Sequence, residues 1–189
     1  MHLFYEKGFH ETSVRDIAHA CGLTPGALYN HFRSKDDILY SIMRWSHDEL
    51  DRDLAEALDA SESTPSARLR AAVRAFVLRH TKYREAARVA NREYAALTQD
   101  RREEIIIRRR RIRTLFQRLI GDVTGATRTR TAPDGLIGMS EDEITAMAVI
   151  NLMIMVAEWY REGGSLSSEA VADHHATLVL RLASDHHSE

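Results

Sequence analysis

The chain has little with which to build a cross-linked, turn-rich or membrane-embedded protein. Its 189 residues contain one cysteine, Cys21, so no internal disulfide can form. Three prolines and nine glycines leave few obligatory breaks, and alternating β-branched runs are scarce. Both absences predict an all-α fold, and apolar spacing with its caps gives about nine helices. The most apolar stretch, 146–157, contains Asn151 and is bounded by Glu143 and Glu158, too short for a bilayer, which needs about 20 apolar residues. With no charged-then-apolar leader and an unpaired thiol, the expected location is cytoplasmic, without a membrane role. Excess charge is missing too. The formal net charge is -2, whereas a non-specific nucleic-acid binder needs a broad positive field.

Catalytic and cofactor signatures are also lacking. There is no glycine-rich phosphate loop, no G-x-S-x-G elbow and no H-E-x-x-H pair. The doublets His174-His175 and His186-His187 have no acidic or cysteine partners at metal-ligand spacing and read as surface residues. Neither an enzyme nor a cofactor is expected. A helical dimeric adaptor, or an effector-binding protein without DNA-binding activity, is the competing class.

What is present is helical periodicity with explicit start and stop signals. Leu3, Phe4 and the Gly8-Phe9 turn read as the end of a first helix whose upstream part is expected to be missing. Ser13 and Asp16 form a capping box, after which Val14, Ile17, Ala18 and Cys21 recur at one-face spacing. Gly22 ends that helix, and Thr24-Pro25 restarts the chain as N-cap and first helical residue of a helix over Pro25–Phe32. Ser34 with Asp37 launches a long helix to about Asp59. Further helices are predicted from Leu69 to Tyr83, Glu85 to Leu97, Arg101 to Ile120, Glu141 to Arg161 and Ser168 to Ala183, with 121–140 as a loop.

Two short helices around a glycine turn, followed by a capped third, describe a DNA-reading unit whose second helix projects its N-terminus outward. The segment Thr12–Leu39, TSVRDIAHACGLTPGALYNHFRSKDDIL, resembles the DNA-binding head of the TetR family of bacterial repressors. Val14, Ile17, Ala18, Gly22, Leu23, Gly26, Leu28, Tyr29, His31, Phe32, Ser34, Lys35 and Leu39 carry the resemblance. It implies an all-α, two-fold dimer with a helix-turn-helix domain over 1–45 and a ligand-binding and dimerisation domain over 46–189. The implied DNA interface comprises Thr12, Ser13, Thr24, Pro25, Gly26, Ala27, Tyr29, Asn30, His31 and Lys35. Tyr29 and Lys35 would hold the phosphate backbone, and Ala27, Asn30 and His31 would face the major groove. Double-stranded DNA with a roughly palindromic operator is the expected partner.

The body offers bulky apolar residues, Trp45, Phe76, Tyr83, Tyr94, Phe116, Met153 and Trp159, as candidates to line an effector pocket; for any one of them the alternative is ordinary core. Glu141–Arg161 is apolar around nearly its whole circumference, and Ser168–Ala183 carries one apolar stripe. From these, Met147, Ile150, Ile154, Val171, His175, Leu178 and Leu182 are the expected homodimer contacts, the alternative again being core. The segments AEWYREGGSL (157–166) and RREEIIIRRRR (101–111) resemble a subset of these regulators that sense acyl-CoA thioesters and control lipid or steroid breakdown. That resemblance implies a small hydrophobic effector of this class, with Arg108 to Arg111 as a basic rim for the coenzyme phosphates; the alternatives are a solvated helix face for the Arg run and a capped helix end for the Trp-Tyr-Arg-x-Gly-Gly segment.

Overall fold

A computed structural model describes residues 1–125 and 141–184. The described residues form α-helices and one 3₁₀ turn, with no strand: α1 (His2–Glu11), α2 (Val14–Ala20), α3 (Pro25–Tyr29), α4 (Lys35–Asp59), α5 (Pro65–Lys82), α6 (Arg84–Arg92), a 3₁₀ turn at Tyr94–Ala96, α7 (Gln99–Thr124), α8 (Glu141–Ile154), α9 (Val156–Trp159) and α10 (Ser168–Ser184). None of these helices is long and apolar enough to cross a membrane.

The predicted breaks hold where a residue enforces them and shift where none does. Gly22 takes φ +67° and ends α2, as expected. Gly121 does not end α7, which continues to Thr124. A lone glycine costs a helix only about 1 kcal/mol, less than the burial of Leu119 and Ile120 beside it contributes. The helix expected over Glu85–Leu97 stops at Arg92 and tightens into the 3₁₀ turn. The helix expected over Glu141–Arg161 is interrupted at Met155, where the Glu158 amide donates back three residues to the Met155 carbonyl at 3.0 Å instead of four. α1 covers nearly the whole opening of the chain and is kinked at Gly8, φ +79°. Most of the loop expected at 121–140, and the His186-His187 doublet, lie outside the described residues.

The chain folds into two compact units, each with its own apolar cluster. One consists of Met1–Glu49 with Tyr83–Arg108, the other of Leu50–Lys82 with Arg109–Glu189. In the first, Phe4, Ile17, Ala18, Leu28, Leu39 and Met43 meet Val89, Ala90, Leu97 and Ile105, and α1 lies along α6. In the second, α10 runs along α5, which also meets α8 and α9. Val171, His175 and Val179 recur every fourth residue on α10 and are all buried, one stripe facing inward.

That inward stripe corrects the expected surface position of His175. Its side chain is 5% exposed, with Nδ1 2.8 Å from the Val171 carbonyl four residues back. A ring whose Nδ1 finds a partner inside its own helix can be buried at little cost.

Candidate nucleic-acid interface

The reading unit is built by backbone amides and carbonyls finding partners. At the start of α2, the Asp16 amide donates to Ser13 Oγ at 3.1 Å while the Ser13 amide and hydroxyl donate to Asp16 Oδ2 at 2.9 and 2.7 Å. These bonds to the Asp16 carboxylate, with Lys7 and His19 nearby, hold its pKa below the ordinary aspartate range. At the end of α2 the Leu23 amide donates to the Ala18 carbonyl at 2.8 Å and the Gly22 amide to the His19 carbonyl at 3.0 Å. This is the Schellman pattern, which needs a residue at positive φ between the two donors. The chain turns and starts α3 after its N-cap Thr24, whose Oγ1 accepts from the Ala27 amide at 3.1 Å, with Pro25 fixing the first helical φ.

α3 then separates its faces sharply. Leu28 is 4% exposed and joins the cluster around Ala18 and Leu39, whereas Tyr29 is 52% exposed. Pro25, Gly26, Asn30 and His31 are exposed too, and Ala27 half-buried. A methyl group added at Gly26 would meet nothing closer than Thr24 Oγ1 at 4.0 Å. The fold itself therefore does not require glycine there, and the missing side chain leaves room for something outside the chain. A short helix with an open Gly26, an exposed amphipathic phenol and a carboxamide at its edge can meet a phosphate and read a base edge.

Two of the anticipated contact residues are engaged inside the unit. Thr12 is 0% exposed, its hydroxyl placed on the carbonyls of Leu3 at 3.2 Å and Gly8 at 2.7 Å. It caps α1 and is withdrawn from the surface, a correction to its expected place on the DNA face. Lys35 directs its ammonium to the carbonyls of Phe9 at 2.6 Å and His10 at 3.2 Å and lies over the Phe9 ring at 4.3 Å, so it closes the end of α1. Ser13 is exposed, but its hydroxyl proton is spent on Asp16.

Further partners come from α7, most of them without a local signature. Arg101, on α7, pairs with Asp36 and with Asp37, the latter at 2.5 Å. The Tyr40 hydroxyl donates to Glu104, and burial followed by that carboxylate pushes the phenol's pKa up. Arg108 reaches Asp48 at 2.5 Å and Glu104 at 3.5 Å. Of these contacts only Glu104–Arg108 has a local signature, the i, i+4 spacing. The others join residues 60 to 65 positions apart.

The candidate effector and dimer residues divide between the units. In the first, Trp45 stands edge-on to Tyr83 at 5.5 Å, and Tyr94 is half-buried. In the second, Phe76 stacks on His80 at 4.3 Å and meets Phe116 edge-on at 5.8 Å. Phe76, Phe116 and Met153 belong to the buried cluster, while Trp159 is exposed and stacked on His175 at 6.1 Å. Among the dimer candidates Met147 and Leu182 are exposed, Ile150, Ile154 and Leu178 half-buried, and Val171 and His175 core. The outward apolar residues here are Ile144, Met147 and Leu152 on α8 and Met155 just beyond its end.

Comparison with known proteins gives this arrangement its context. Residues 1–42 match the family described as "Bacterial regulatory proteins, tetR family", and residues 62–183 match "Tetracyclin repressor-like, C-terminal domain". The chain is 32% identical over 191 residues to the HTH-type transcriptional repressor KstR2 of Rhodococcus jostii, covering 97% of this chain and 87% of that protein. Its fold is shared with a TetR-family transcriptional regulator from Bordetella parapertussis, with a TM-score of 0.83 at 24% identity over 95% of this chain and 88% of that one. It is also shared with AibR, solved in complex with isovaleryl coenzyme A and operator DNA, with a TM-score of 0.75 at 24% identity over 94% of this chain and 91% of that one. The chain belongs to the TetR family and is a transcriptional repressor, not an enzyme.

Proposed function

We propose that this repressor works in the cytoplasm as a two-fold homodimer, inserting α3 of each copy into successive major grooves of a roughly palindromic operator. A small hydrophobic effector of the acyl-CoA thioester class releases it. Residues 1–45 act as the DNA-binding domain and 46–189 as the ligand-binding and dimerisation domain. The observation that carries the DNA half is the exposed edge of α3, with Tyr29 and Asn30 outward, Gly26 open and Leu28 anchored inside. Two such helices must stand about 34 Å apart to meet one face of a duplex, which supports a symmetric pair. The apolar outward stripe of α8, together with Leu182 on α10, supports a second copy as its cover, because an exposed apolar patch of this kind marks an interface.

The effector class is supported by the fold shared with AibR, solved with isovaleryl coenzyme A; the Trp159-Tyr160-Arg161-x-Gly-Gly segment lies at the turn after α9. There Gly163 takes φ +76°, and Arg161 donates to the carbonyls of Glu158 and Tyr160 at 3.0 and 2.9 Å. These bonds make the segment a capped helix end, the alternative to an effector signature, so the effector class rests on the shared fold alone. Release follows from linkage: an effector that binds the DNA-incompetent form more tightly lowers operator affinity by the same factor by which the operator lowers effector affinity.

DNase footprinting on the intergenic DNA beside the gene tests the DNA half. Tyr29→Ala is expected to lose the footprint while scattering still reports a folded dimer; a retained footprint, or a monomer at micromolar concentration, would count against the assignment. A thermal-shift panel of acyl-CoA esters tests the effector, and no stabilisation by any of them would remove that class.

A further inference from the structure

The Arg-rich opening of α7 finds its use within the first unit. The first turn of α4 is already capped locally, since the Asp37 amide donates to Ser34 Oγ at 3.1 Å and Asp37 Oδ2 accepts from the Arg33 amide at 3.0 Å. Arg101 adds a second, non-local hold. One arm of its guanidinium takes the remaining oxygen of Asp37 at 2.5 Å and the other takes Asp36, whose other oxygen accepts the Thr98 amide at 3.0 Å. The guanidinium also lies over the Tyr40 ring at 5.0 Å. All three charged side chains are largely shielded, with 29, 17 and 22% of Arg101, Asp36 and Asp37 exposed.

Two features separate this hold from a surface ion pair. A planar fork bridging two adjacent carboxylates fixes direction as well as distance, which a lysine cannot do. It also acts at the helix start that directly follows the reading helix, with Asn30 and Asp36 six positions apart. The same α7 is one unbroken helix from Gln99 to Thr124, and its residues from Arg109 onward belong to the second unit.

We propose that Arg101 is the positioning residue through which α7 sets the DNA-binding competence of α2 and α3, by holding Asp36 and Asp37 at the start of α4. This rests on the repressor function above. Arg101 touches no nucleic acid in this role; it acts through the carboxylates.

The test uses the full chain and a duplex selected by the wild-type protein from a random pool, at a temperature well below melting. Arg101→Gln is expected to weaken binding to that duplex tenfold or more, leaving affinity for random duplex and the slope of log affinity against log salt unchanged. The loss should disappear in an Asp36→Asn/Asp37→Asn background, and Arg101→Lys should recover only part of it. A loss under twofold, additive effects, or a slope smaller by about one, as when a phosphate contact is removed, would overturn the proposal. A residue serving stability alone would lower the melting temperature without moving the affinity of folded protein. If the wild-type chain selects no duplex, the DNA-binding reading fails instead. Amide exchange then decides: faster exchange over 14–29 in Arg101→Gln, with 168–184 unchanged, is the expected result, and no change over 14–29 overturns the proposal.

Discussion

Residues 12–37 and the bundle of α5, α8, α9 and α10 solve the same problem by opposite means. The bundle is held by apolar area: Val73, Phe76, Val77, Val149, Met153, Ala172, Ala176 and Val179 are enclosed together, and such packing is sensitive to volume and indifferent to any single polar bond. In the reading unit α2 and α3 are only seven and five residues long, too short to persist alone, and few of their side chains are buried. Their geometry is fixed by caps, one turn glycine and charged groups reaching in from other helices. The bundle should therefore break by cavities, and the reading unit by lost hydrogen bonds and altered pH.

The largest expected effect is in the bundle's apolar cluster, to which α7 contributes Phe116. Phe116→Ala removes a fully buried ring that meets Phe76 edge-on and should cost about 3–5 kcal/mol, seen by calorimetry as a lower melting temperature. Removing the Thr24 cap of α3 by Thr24→Ala should cost about 1 kcal/mol, and amide exchange should rise at Ala27 while residues 168–184 stay protected; an equal rise in both regions would erase the contrast.

Acid comes next. The pKa values of Asp16 and Asp37 are both depressed, the first by its bonds to Ser13 and the second by the Arg33 amide and then by Arg101. Groups whose folded-state pKa is lowered stabilise the fold above the unfolded value and lose that contribution as pH falls through the folded one. Below pH 3.8, the ordinary aspartate value, the reading unit should loosen before the bundle does, with exchange at 14–20 and 34–37 rising first. Smallest of all is Arg74→Ala. This ion pair with Asp173 is largely solvated on the aspartate side, and its loss should move stability by about 0–1 kcal/mol with no change in exchange over 14–29.

The same contrast explains what could be read from the sequence. Caps and turns are local, so Ser13-Asp16, Gly22, Thr24-Pro25 and Ser34 could be placed before any coordinates. The TetR pattern is itself a list of such local requirements. Arg101 on Asp36 and Asp37, Lys35 on the carbonyls of α1, and the burial of Thr12 depend on chain segments brought together by folding, and periodicity carries no record of them. On α10 the apolar period was right but the facing was ambiguous. Val171, His175, Leu178 and Leu182 all fit one broad stripe, and only the neighbouring α5 decides that the first two point inward and Leu182 outward. A helix apolar on most sides, as α8 is, leaves that choice open by construction.

The two tryptophans of the chain are divided one to a unit, Trp45 against Tyr83 in the first and Trp159 against His175 in the second. The protein thus carries two native optical probes with different neighbours. Replacing either indole by phenylalanine leaves a single emitter, whose intensity and anisotropy report on one unit while the other is titrated with acid, denaturant, duplex or thioester.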